Sequence, residues 1–125
     1  MSNARNIANL PNGDDAPVYA CRAWVTFSGN TTFFPNPGTN AILNHGNVSS
    51  MEDLETGKFA INFDVNMPHA NYAVAYSIED GGGFNDIRVM NSDDTQNKTS
   101  SKYEFYIWDG TALNDPDVMS LVFFA

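Results

Sequence analysis

The chain has 125 residues, with 15 Asp and Glu against 6 Lys and Arg and a formal net charge of −9. That length predicts one domain with its own core, and the scattered basic residues (Arg5, Arg22, Lys58, Arg88, Lys98, Lys102) offer no stripe for nucleic-acid phosphate or anionic lipid. No window approaches the ~18 apolar residues of a membrane span, and the polar opening MSNARNIANLPNGDDAP lacks the apolar stretch of a signal peptide.

In chain order, residues 1–16 read as a polar arm outside the fold, because they offer almost nothing to bury. The rest, 17–125, reads as a single β domain. Period-two alternation recurs along it, whereas no useful stretch keeps helical spacing. In VYACRAWVTFSG, Tyr19, Cys21, Ala23, Val25 and Phe27 share one face, with Ala20, Arg22, Trp24 and Thr26 on the other. Short strands are predicted over Ala41 to Asn44 and Asn47 to Leu54. In GKFAINFDV, Phe59, Ile61, Phe63 and Val65 alternate with Lys58, Ala60, Asn62 and Asp64. NYAVAYSIED places Tyr72, Val74, Tyr76 and Ile78 on one side. After a short candidate from Asp86 to Asn91, KYEFYIWDG sets Tyr103, Phe105 and Ile107 against Glu104, Tyr106 and Trp108. The final strand, Asp117 to Ala125, is apolar on both faces.

Turn chemistry separates these runs. PNGDDAP, SGNTTFFPNPGTN, EDGGGFND and NSDDTQNKTSS are rich in the residues that supply turn dihedrals and local side-chain bonds. DLETGKF reads as a hairpin loop with Gly57 in the left-handed position. Pro68 breaks the ladder in NMPHANY, having no N–H to donate. About seven or eight short strands without a helix predict an all-β fold, an antiparallel β-sandwich or a jelly-roll-like arrangement.

Chemistry-bearing residues are sparse. His45 and His69 sit in turn-like contexts, and a lone loop histidine is more often solvated than a ligand. Cys21, the single cysteine, excludes an internal disulfide, makes reduced cytoplasmic synthesis the simplest expectation, and on its apolar face reads as a small hydrophobe. No Ser stands in a G-x-S-x-G context. The carboxylates cluster as Asp14/Asp15, Glu79/Asp80, Asp93/Asp94 and Asp115/Asp117. NSDDTQN brings several oxygens together as Ca²⁺ would require, but without the D-x-D-x-D-G spacing of an EF-hand loop it reads more simply as a solvated loop. The expectation is a protein that is not an enzyme, with no metal and no cofactor.

Aromatic residues are the remaining excess: nine Phe, five Tyr and two Trp. Most fall on the inner face, but Trp24, Tyr106 and Trp108 fall on the opposite one. Three explanations stay open for them. They face a second sheet with the in/out assignment reversed, they form a subunit interface where aromatics are enriched, or they stack on sugars. The closing MSLVFFA raises a related question, because uncharged β-prone segments aggregate when left bare. It is predicted to pair within a sheet. Its second face, with Val122 and Phe124, should then meet either core or a neighbouring subunit.

The runs CRAWVTFSGN, NVSSMEDLETGKFAINFDVNMPHANYAVAYS and DVMSLVFFA resemble a domain of structural proteins from tailed bacteriophages, tail-fibre-like and found in phages of cyanobacteria and other aquatic bacteria. The shared pattern is an aromatic first strand ending in F-x-G and an N-V-S-S segment. A G-x-F-x-I-N-F hairpin, M-P, Y-A-V and an apolar terminal strand complete it. TTFFPNPGTNAILNHG is longer than the usual link after the first strand, and EDGGGFNDIRVMNSDDTQNKTSSK is not diagnostic. The resemblance implies a virion component, a tail fibre or an accessory fibre or decoration protein, synthesised in the host cytoplasm. Its implied partners are copies of itself in a homotrimer, other virion proteins through the N-terminal arm, and a host surface glycan. The competing reading is a carbohydrate-binding β-sandwich module. A polysaccharide depolymerase ranks below both, since it would need a clustered acid pair and a much longer chain.

Overall fold

The computed structural model describes residues 20–29, 42–79, 88–91 and 98–125. The proposed arm, the Asp14/Asp15 pair and the NSDDTQN loop after Asn91 lie outside these residues. Eight strands follow in order: β1 (Cys21–Phe27), β2 (Ile42–Gly46), β3 (Val48–Glu55), β4 (Lys58–Phe63), β5 (Ala73–Glu79), β6 (Arg88–Asn91), β7 (Lys102–Trp108) and β8 (Val118–Phe124). Each overlaps a predicted run, but β2 continues past Asn44 through His45 and Gly46, so His45 lies on a strand and not in a turn.

The strands form two antiparallel four-stranded sheets, one ordered β2-β1-β8-β5 and the other β3-β4-β7-β6. They pack face to face as a β-sandwich, and aromatic rings join them. Phe27 of β1 meets Phe59 of β4 at 5.3 Å between centroids, while Phe123 of β8 meets Phe63 of β4 at 5.0 Å and Tyr103 of β7 at 5.4 Å. Tilted and edge-on rings of this kind add about 0.5–1.5 kcal/mol per pair beyond their buried area. Val25, Phe27, Ile61, Phe105, Ile107, Met119, Leu121 and Phe123 are all fully buried.

Two turns set the course of the chain, one at the corner where it changes sheet and one within a sheet. Only Asn47 separates β2 from β3, and its φ of 54° turns the strand through the corner. Its side chain holds that corner: Nδ2 donates to the carbonyls of Arg22 and Val65 at 3.0 Å each, and Oδ1 accepts from the Val65 N–H at 2.7 Å. At the other end, Gly57 turns β3 into β4 with φ 71°. There its N–H donates to Asp115 Oδ1 at 2.7 Å, and its carbonyl accepts from the Ile107 N–H at 2.8 Å. An added Cβ would stand 2.6 Å from the Asn114 nitrogen, so glycine is required by both dihedral and space. The β3–β4 hairpin is thus fastened to the loop that enters β8.

Three inner-face expectations need correction. Val65, grouped with Phe59, Ile61 and Phe63, is 67 % exposed, because β4 ends at Phe63 and the chain leaves the ladder before it. Cys21 is exposed, not buried, because the β1–β8 register shifts between Cys21 and Ala23 and the strand's first residue leaves the core face. Tyr76 shares a face with Tyr72 and Val74, yet it is 46 % exposed, since β5 is the last strand of its sheet. Tyr72, by contrast, is buried, with its hydroxyl donating to the Lys102 carbonyl at 3.1 Å.

Candidate interaction surface

The in/out alternation holds for the flagged aromatics, so all three point away from the core. They do not form one platform. Trp24 lies on β1, on the outer face of the β2-β1-β8-β5 sheet, whereas Tyr106 and Trp108 lie on β7, on the outer face of the other sheet. The thickness of the sandwich, about 10 Å between sheets, separates them.

On the first of these faces, cross-strand register brings Trp24 opposite Val122, and Val122 opposite Ala75. Phe124 pairs with Ala73 one step along, while Thr26, Ser120 and Ser77 form the next row. Trp24 and Phe124 are each 38 % exposed, and Val118, Ser120 and Val122 are half-buried. The indole lies against Gly46, its β2 partner: a Cβ there would fall 2.4 Å from Trp24 Nε1. Glycine at this position leaves room for the indole against the β2 backbone. Thr26 and Ser120 share a hydroxyl hydrogen bond at 2.9 Å, which uses their polar groups within the row. Among the described residues the charges on this face are at its rim. Arg22 donates from Nε to the Ala125 carbonyl at 3.3 Å, and Glu79 is opposite Val118.

The opposite outer face is built from charge. Glu104, at the middle of β7, is buried and lies 3.4 Å from Lys58 Nζ and 3.3 Å from Lys102 Nζ. Lys102 reaches Glu52 at 3.9 Å, and Asn62 Nδ2 donates to Ser50 Oγ at 3.0 Å and Glu52 Oε2 at 3.1 Å. Lys58 also sits over the Tyr106 ring, 5.0 Å from its centroid. Tyr106 is therefore half-covered by a cation, and its hydroxyl together with Glu104 holds the Lys58 ammonium above its usual range. Trp108 is half-buried at the end of β7 and bridges to Leu113 through the backbone.

The remaining polar candidates do not converge. His45 is exposed on β2, and His69 is exposed in the connection before β5. Asp115 is committed to the Gly57 turn. Asp109 is committed to its own loop: Oδ1 accepts from the N–H groups of Thr111 and Ala112 at 2.8 Å each and from the Thr111 hydroxyl at 3.0 Å, and Oδ2 accepts from Asn114 at 3.1 Å. Those donors bring its pKa down to about 2. Burial and the nearby Asp115 push Asp53 up. Among the described residues no three His, Cys, Asp or Glu side chains gather as a metal would need. No family model, curated protein or solved structure matches the chain significantly.

What the sequence did not disclose on these faces is pairing. Glu104 alternates correctly as an outward residue, yet it is buried because two lysines from neighbouring positions close over it. Which strands are neighbours, and hence which outward residues form one surface, depends on non-local register that alternation does not encode.

Proposed function

We propose that this protein is a bacteriophage virion component, a tail fibre or accessory fibre or decoration protein, that binds and assembles and performs no catalysis. The observation behind the reading is the outer face of β8. This strand is hydrogen-bonded on both edges and buried on one side, yet its other side presents Val122 and Phe124 beside Trp24. In a chain of net charge −9, a face free of central charge is where copies approach without repulsion. The homotrimer, docking of residues 1–16 on another virion protein, and contact with a host glycan belong to the same proposal and come from the resemblance described above.

The test is solution mass by light scattering on the wild-type chain and on Phe124→Asp, with circular dichroism as the folding control. A wild-type mass that is a multiple of three protomers, and that loses this threefold step in the folded variant, supports the reading. A wild-type monomer whose mass is unaffected by concentration sinks the assembly half of it. The second reading, a carbohydrate-binding module, draws on one observation: the Trp24 indole lies against Gly46 and is 38 % exposed, which leaves part of the ring open to stack on a sugar. Calorimetric titration of a monomeric wild type with bacterial surface oligosaccharides, lost in Trp24→Ala, would favour it over assembly.

A further inference from the structure

We infer that the free edge of β5 is a two-fold contact between copies of this chain, with β5 of one copy pairing antiparallel to β5 of another and Tyr76 opposite Tyr76. β5 ends its sheet, and among the described residues no strand pairs with its outer edge. Such an edge offers a row of N–H and C=O groups to any incoming strand, and soluble proteins blunt it with charge, proline, bulges or brevity. The other three edge strands carry these guards. β3 has two register irregularities and exposes Glu52, Asp53 and Glu55. β2 has five residues, one irregular step in its pairing, and exposed Asn44 and His45. β6 has four residues. β5 has none of them: seven residues, AVAYSIE, in unbroken register with β8, and one charge at the far end.

The sequence of β5 also selects its occupant. Folded back on itself about Tyr76, an antiparallel pair sets Val74 opposite Ile78, Ala75 opposite Ser77 and Ala73 opposite Glu79. The two branched aliphatics, which already pack against the core edge, would continue the apolar inner face into the second copy. The half-exposed Tyr76 rings would cover one another, and the two Glu79 carboxylates would stand at opposite ends, about 20 Å apart. A strand of the same sequence therefore meets no like charge, and the isologous pairing closes on itself instead of growing into a fibre. The contact does not rest on the virion reading and uses none of Trp24, Val122 or Phe124, so in a three-fold assembly it would join trimers in pairs.

Solution mass and directed cross-linking of the full chain test it. The wild-type mass should be an even multiple of the protomer's. Tyr76→Lys and Tyr76→Glu should each halve that mass with unchanged circular dichroism, and mixing the two should restore it, because opposite charges then face each other. In a Cys21→Ser background, Tyr76→Cys should form an intermolecular disulfide under mild oxidation, since directly opposed Cβ atoms lie about 4.5–5.5 Å apart, whereas Glu79→Cys should not. An odd or monomeric wild-type mass, a Tyr76→Lys mass equal to wild type, or equal cross-linking at both positions overturns the contact. Phe124→Asp, which leaves β5 intact, separates this outcome from that of the assembly face.

Discussion

The two outer faces of this sandwich solve the same problem in opposite ways. Both belong to the middle strands of four-stranded sheets, and both carry large outward side chains. On the β3-β4-β7-β6 face, Lys58, Glu104, Lys102 and Glu52 alternate in sign and cover Ala60 and Tyr106. That surface is finished within one copy. On the β2-β1-β8-β5 face, Trp24, Val122 and Phe124 have small or apolar cross-strand neighbours, and no ion pair among the described residues lies over them. Charged residues with long stems can close over apolar surface as well as pair. Their presence on one face and absence from the other is what distinguishes a solvent face from a contact face here.

The largest effect expected tests whether β8 matters more for its inner than its outer side. Truncation after Ser120 removes Leu121 and Phe123, both fully buried, and two ladders of backbone bonds. Loss of each such core side chain alone costs about 2–5 kcal/mol, and a domain has only about 5–15 kcal/mol to lose. No soluble folded chain should remain. A truncated protein with wild-type melting temperature and mass would show the strand to be dispensable.

Next comes the turn that fastens the β3–β4 hairpin to the loop entering β8. Gly57→Ala meets backbone atoms at 2.6 and 2.9 Å and a positive φ, a combination that should cost about 2 kcal/mol or more. Asp115→Ala removes the carboxylate bonded to the same residue and should cost about 1–3 kcal/mol. Because both changes act on one fastening, chemical denaturation of the double variant should show less than the sum. Additive losses would mean that the hairpin and the β8 entry loop are independent.

A smaller effect compares the faces directly. Glu104→Gln leaves two lysines without their shared carboxylate. Glu104 is buried but the lysines are partly exposed, so the cost should lie between those of surface and interior pairs, about 1–2 kcal/mol, with no change in solution mass. Phe124→Asp should do the reverse, changing mass with little change in the monomer's unfolding midpoint, because the ring is already 38 % exposed. If the two variants behave alike, the distinction between a finished face and an unfinished one fails.

The sequence carried most of the fold and less of the surface. Positions of the central strands were legible because each has one buried side, and period two marks it: Ala23, Val25 and Phe27, or Tyr103, Phe105 and Ile107. Gly57 was legible because only a left-handed turn explains a glycine at that point of a hairpin. The separation of Trp24 from Tyr106 and Trp108 was not, because it depends on β1 pairing with β8 while β7 pairs with β4 and β6. Cys21 misled for a related reason. Alternation assigns faces within a strand but does not mark where a register shift ends the core. Asn47 was visible only as the first residue of a strand; its corner role requires Arg22 and Val65, far away in sequence, to supply partners.

The smallest effect concerns pH and the loop between β7 and β8. Asp109 has its folded-state pKa lowered to about 2 by the N–H groups of Ala112 and Thr111. A depressed carboxylate contributes stability that is present above the unfolded value, ordinarily near 3.8, and is lost as pH falls through the folded one. The contribution should therefore fade between about pH 4 and pH 2. The carboxylate is solvent-exposed, so the change should be modest and screened by salt. In Asp109→Asn the side-chain oxygen can still accept from the two N–H groups, but the charge is gone. This variant should lose part of the acid limb in a plot of melting temperature against pH and match wild type more closely at pH 2 than at pH 6. Solution mass should stay that of wild type throughout, since the loop belongs to neither outer face. An unchanged acid limb would place the loop's stability in its backbone turns, with the carboxylate's charge contributing nothing.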